Sequence, residues 1–206
     1  MGNLGSVYNA CKFLGIPAEL IVRAGELERC AAVILPGVGA FGDCRAHLDA
    51  HGFAEPLTRW IRSGRPLLGI CLGMQLLFES SEESPGVPGL GIFPGRVRRF
   101  PDAPGLKVPQ MGWNRVRQRN RECPIFRGVP DQAYFYFVHS FYCDPADARV
   151  TAGDTEYGRS YSSVVWQGRV AGVQFHPEKS QDVGLAMLRA FADWSLNGIA
   201  PSGAPA

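Results

Sequence analysis

The stretch Gly69-Ile70-Cys71-Leu72-Gly73 constrains this chain more than any other. It closes one apolar run, Leu67-Leu68, and opens another, Leu76-Leu77-Phe78. A plain buried strand has no need of a thiol with a glycine two residues away on each side. A strand that turns sharply into a helix does, because larger side chains at those positions would collide as the chain doubles back. Such a turn pushes the central side chain out above a sheet. The start of the helix beneath it favours the thiolate, the reactive form, and the Leu72 N–H can face a developing oxyanion. The competing reading of these five residues alone is a core cysteine in a tight strand–helix turn.

The flanking sequence fits a strand–helix alternation. Leu4, Val7, Tyr8, Cys11 and Leu14 recur at helical spacing, with Gly15 and Pro17 as the stop. Segments 18–23 and 31–36 read as strands, 40–52 and 55–64 as helices closed by glycine, 66–71 as a buried strand, and 72–81 as the helix after it. Apolar strands alternating with helices predict an α/β fold with a mostly parallel central sheet flanked by helices. Beyond residue 84 the texture changes. Short strands at 96–100, 133–138, 149–154, 162–167 and 170–175 predict an additional antiparallel or mixed sheet, with Gly168-Arg169 as a tight hairpin turn. Residues 182–198 form a last amphipathic helix, and the tail 199–206 is expected to fray.

Composition narrows the function classes. A chain of 206 residues, 46% hydrophobic, reads as a single domain, 1–206. A net charge of +2 without blocks of like charge gives no nucleic-acid or membrane surface. Arg96 to Phe100 is the densest basic cluster and reads as a solvated strand face. No apolar run approaches the roughly 20 residues that span a bilayer. Met1 to Ala10 lacks a secretory pattern, and although Gly2 and Ser6 have myristoylation spacing, another reading given below is preferred. Six scattered cysteines without C-x-x-C spacing predict no metal site, no cofactor, and reduced thiols in a cytoplasmic protein.

A cysteine nucleophile needs a base, and the base needs an orienting group. His47 and His51 sit on a helix and read as surface residues; as an i, i+4 pair they lack a third ligand. His139 and His176 each follow a strand, but only His176 has a carboxylate in register, in His176-Pro177-Glu178. On extended chain Glu178 would project to the same side as His176 and hold its ring. Pro177 would end sheet pairing there.

These motifs together resemble a known family. Pro36-Gly37-Val38-Gly39, the segment GICLGMQ at 69–75, PQMGWN at 109–114, YFVHS at 136–140 and GVQFHPEKS at 172–180 are similar to those of the class I (triad) glutamine amidotransferases. Within that class Met74, MGWN and HPEKS resemble the amidotransferase subunits of imidazole glycerol-phosphate synthase, over roughly residues 2–196. The resemblance implies a flavodoxin-like fold and a Cys71–His176–Glu178 triad that hydrolyses L-glutamine through a γ-glutamyl thioester. It implies an oxyanion site from the Leu72 N–H and the backbone of Gly37, Val38 and Gly39. Gln75 and the backbone around His139, Ser140 and Phe141 would hold the glutamine. It also implies a heterodimer with a (β/α)8-barrel cyclase subunit that takes the ammonia through a channel and releases imidazole glycerol phosphate and an aminoimidazole carboxamide ribotide. Trp113, which the sequence puts on a loop, Tyr136 and Lys179 are the expected partner contacts.

One departure stands out. The family begins with an apolar strand and an Asp-Tyr-Gly-x-Gly-Asn turn, whereas this sequence starts inside that turn at Met1-Gly2-Asn3. The expectation is a fold without its usual first strand, from a start placed too far downstream. Three other functions are weighed. An amidotransferase serving another acceptor, as in anthranilate or aminodeoxychorismate synthase, is opposed by Met74 and MGWN. A non-catalytic regulatory module of the same fold is opposed by the intact triad. A cysteine peptidase of similar fold is opposed by the PGVG and PEKS segments.

Overall fold

The computed structural model describes residues 2–197; the tail 199–206 lies outside them. Helix α1 (Gly2–Phe13) leads to β1 (Val33–Gly37), α2 (Phe41–Ala50), α3 (Ala54–Arg62), β2 (Leu67–Cys71) and a single-turn helix α4 (Leu72–Gln75). Eight strands follow: β3 (Phe78–Ser81), β4 (Phe93–Arg99), β5 (Gln110–Gln118), β6 (Ala133–His139), β7 (Phe141–Pro145), β8 (Thr151–Glu156), β9 (Ser160–Gln167) and β10 (Val170–Val173). Helix α5 (Gln181–Asn197) is the last element among the described residues.

The sheet runs β1-β2-β10-β9-β7-β4-β3, with β8 and the β5–β6 hairpin attached through β9 and β5. Strands β1, β2 and β10 are parallel, so their carboxyl ends share one edge. Strand β9 returns antiparallel to β10 through Gly168-Arg169, the hairpin expected from the sequence. Every residue of β2 and β10 is buried, as in a parallel sheet covered on both faces. One core cluster joins α1 and α5 to Phe135, Phe137 and Phe175; a second joins α2 and α3 to Leu67, Met74 and Phe93.

Segments 18–23, 72–81 and 109–114 depart from the sequence reading, as does the unexpected strand β7. Residues 18–23 form no strand. The backbone N–H groups of Val22 and Arg23 bond the Glu26 carboxylate at 3.1 Å each, and Leu20 and Val22 stay exposed. A strand needs a ladder partner, and this segment instead caps the short helical turn Ala24–Arg29. The helix expected over 72–81 stops after one turn. The Leu76 and Leu77 carbonyls accept from Leu90, Ile92 and Phe93, which diverts the chain into β3. The MGWN segment lies within strand β5, not a loop, so Trp113 pairs across the hairpin with Tyr136.

Candidate active site

Cys71 is the last residue of β2 and sits at φ 55° and ψ −112°. A non-glycine residue costs about 1–3 kcal/mol there, so the surroundings must hold it. They do so by closeness. A Cβ on Gly69 would sit 2.8 Å from the Gly73 carbonyl, one on Gly37 would sit 2.9 Å from the Gly73 nitrogen, and one on Gly73 would run into the Leu35 carbonyl oxygen. The two flanking glycines are therefore required by packing, as the sequence spacing predicts. Gly37 is the register partner of Cys71, which brings the 36–39 segment beside Leu72.

His176 and Glu178 come from the chain that follows the neighbouring strand β10. The Val173–Ile70 register places the chain after β10 alongside Cys71. His176 Nδ1 lies 2.9 Å from Glu178 Oε1, and both side chains are almost completely buried. The contact is the expected one but its cause differs. The backbone is not extended; Pro177–Lys179 form a 3-10 turn that folds Glu178 back onto the ring and leaves Lys179 in solvent. Ser180 Oγ donates to the His176 carbonyl at 2.6 Å and accepts from the Tyr136 N–H at 3.0 Å, while the His176 N–H bonds the Tyr136 carbonyl.

Burial pushes the His176 imidazole down, but its hydrogen bonds to Cys71 and Glu178 outweigh that and carry it up to about 9. The site thus favours an imidazolium held between sulfur and carboxylate. The remaining cysteines have no such partner. Burial pushes Cys11, Cys30, Cys44, Cys123 and Cys143 up, Cys44 to about 11 and Cys123 to about 12. They remain protonated and packed.

The expected substrate-holding residues cluster here too. Gln75 is buried and its Nε2 donates to the Phe141 carbonyl at 3.0 Å and to Gln174 Oε1 at 3.1 Å. The His139 ring bonds that same Phe141 carbonyl at 2.8 Å through Nδ1, and Tyr161 Oη lies 3.3 Å from its Nε2. Burial, with the nearby His176 charge, pushes His139 down to about 4, so it is a neutral fixture. The Phe141 carbonyl already accepts two bonds, and the Ser140 carbonyl accepts from the Phe100 N–H. Gln174, Tyr161 and Ser180 were not singled out by sequence. A glutamine inside the apolar run VAGVQF was the one signal available for Gln174.

Trp113 is 46% exposed and stands edge-on to Tyr136 at 6.1 Å. Met111 and Tyr134 on the same hairpin are also exposed. This settles Trp113 as a surface residue. Among the described residues no group of histidine, cysteine, aspartate and glutamate side chains has the arrangement of a metal site, and no helix is long and apolar enough to cross a membrane.

The family profile "Glutamine amidotransferase class-I" matches residues 13–193. The imidazole glycerol phosphate synthase subunit HisH of Desulfitobacterium hafniense is 48% identical over 193 residues, 94% of this chain and 90% of the relative. Those of Syntrophotalea carbinolica and Chlorobaculum tepidum are 48% and 45% identical, each over 94% of this chain and 96% of the relative. A solved structure described as a glutamine amidotransferase superposes with a TM-score of 0.73 at 22% identity, covering 94% of this chain and 93% of that one.

Proposed function

The chain belongs to the class I glutamine amidotransferases, as the glutaminase subunit of imidazole glycerol phosphate synthase, and from that premise we propose how its residues divide the work. Cys71 Sγ attacks the side-chain amide carbon of glutamine. The carbonyl π electrons move onto oxygen, where the Leu72 N–H and the Gly37-Val38-Gly39 backbone face the oxyanion. The C–N bond then breaks, and His176 gives its proton to the departing nitrogen, leaving ammonia and a γ-glutamyl thioester. Water attacks the thioester with His176 as base. Glutamate leaves, and Cys71 is restored. Glu178 holds the His176 ring in the required tautomer and orientation. Gln75, His139, Ser140 and Phe141 frame the glutamine.

One observation carries this reading: the strained Cys71 and the buried His176–Glu178 pair meet at the carboxyl ends of adjacent parallel strands. The ammonia goes to a cyclase subunit. We place the docking face on the hairpin bearing Trp113 and Tyr136 and on the neighbouring Lys179. Support comes from the exposed Trp113, edge-on to a half-buried Tyr136 beside the site, and from the solvent-facing lysine. Free cysteines throughout support a cytoplasmic setting.

The experiment compares glutamate release and imidazole product formation in the assembled synthase. Cys71→Ala should abolish glutamine-dependent turnover yet keep turnover with added ammonia, because the acceptor site lies on the other subunit. Trp113→Ala should weaken assembly without touching Cys71 reactivity in the free subunit. Loss of the ammonia-dependent reaction in an intact Cys71→Ala complex would contradict this division of labour.

A further inference from the structure

We propose that Gln174 is a further catalytic residue, whose carboxamide N–H holds the Cys71 thiolate while its carbonyl oxygen fixes Gln75. The proposal rests on the glutaminase reading and deepens it.

The placement follows from strand register. Val173 pairs with Ile70 on adjacent parallel strands, so the next residue on each strand, Gln174 and Cys71, stand side by side. The Gln174 backbone N–H bonds the Ser163 carbonyl at 2.9 Å, and the side chain is fully buried. Its Nε2 lies 3.8 Å from Cys71 Sγ, within hydrogen-bond reach for sulfur. Its Oε1 accepts from Gln75 Nε2. That second bond fixes which end of the amide faces the nucleophile. Gln75 Nε2 donates both to Phe141 and to Gln174, so a reversed Gln174 would set N–H against N–H. The nitrogen must point at sulfur.

Two further facts assign this amide to the chemistry. The four residues Val170 to Val173 and the following Phe175 are buried and apolar apart from their backbone. An amide in such a run is unfavourable unless bonded, and the partners available to it are the nucleophile and a residue of the substrate pocket. Helix α4 also has only four residues. A single turn sums few peptide dipoles, so stabilisation of a thiolate falls to individual donors. Gln174 is one that is already aimed. A consequence for Gln75 follows. With Nε2 engaged twice inside the protein, Gln75 offers the substrate its Oε1, an acceptor suited to the ammonium or carboxamide N–H groups of glutamine.

The test uses the full chain with its cyclase subunit. Cys71 alkylation by iodoacetamide is followed against pH by mass spectrometry of the Cys71 peptide, which separates it from Cys30 and Cys44. Gln174→Glu keeps the acceptor that Gln75 needs but removes the donor; Gln174→Met removes both. Both should move the alkylation midpoint upward by about one pH unit or more and lower kcat on the order of tenfold, the scale of one hydrogen bond to a charged group. KM should rise clearly only in Gln174→Met, where Gln75 is released. A purely structural amide would lower the melting temperature and leave the midpoint in place, and that result overturns the proposal. So does failure of both variants to fold. Failure of the glutaminase reading would appear separately, as no glutamate release by the unaltered synthase, since the alkylation profile is read without glutamine.

Discussion

The two arms of the site are fixed by different forces. The arm bearing Cys71, the proposed nucleophile, runs from β2 into α4 and is held by exclusion: Gly37, Gly69 and Gly73 leave no room for a Cβ, and Cys71 is forced to positive φ. The arm bearing His176, the proposed base, runs from β10 to Ser180, has no strained residue at His176 or Glu178, and is held by hydrogen bonds to Tyr136, Ser180 and Glu178. Steric locking sets an angle that no pH or salt change relaxes. Hydrogen bonding and charge set an orientation that can respond to both.

The sharpest way to break the first arm is Gly73→Ala. Its new methyl meets backbone, which cannot rotate aside, so the loss should be on the order of 3 kcal/mol or more, with activity abolished. Urea unfolding measures it; a variant of normal stability and turnover would refute steric locking. The second arm should fail more gently. Ser180→Ala removes a donor to the His176 carbonyl and an acceptor for the Tyr136 N–H, costing about 1–3 kcal/mol. Glutamine kcat/KM should fall roughly tenfold, the equivalent of about 1.4 kcal/mol, while Cys71 keeps its alkylation rate if the arms are independent. Equal loss of both would show one rigid unit.

The smallest effect separates the arms by pH. His176 rises from 6.5 to about 9 on folding, so between those values the folded chain holds more protons than the unfolded one. Its contribution is fully present below about pH 6.5 and disappears as pH climbs through 9. Urea midpoints should therefore decline over that window, and less so in Cys71→Ala, which lacks the sulfur contact. An identical decline in both proteins would remove Cys71 as a cause.

The same contrast explains what could be read from sequence. Both arms begin from local devices, one steric and one hydrogen-bonded: G-x-C-x-G and H-P-E each lie within five residues, so both motifs are legible in the sequence. Strand register is not local. Gln174 lies 103 residues from Cys71, and nothing in the sequence says that β10 will insert beside β2. Strand β5 escaped for another reason. Its exposed face carries Met111 and Trp113 where a two-layer sheet would show polar residues, so it lacks the usual alternation. The short α4 was hidden because Leu76 to Phe78 are apolar on every side, and such a run fits helix or strand equally.

The β2–β10 pairing has a bearing on the life of the nascent chain. Synthesis proceeds at roughly 5–20 residues per second, so Cys71 emerges several seconds before the strand that supplies His176 and Gln174. Throughout that interval the thiol lacks both His176 and Gln174 as neighbours. On the proposed mechanism, ammonia release begins only once β10 and the residues after it lie beside β2.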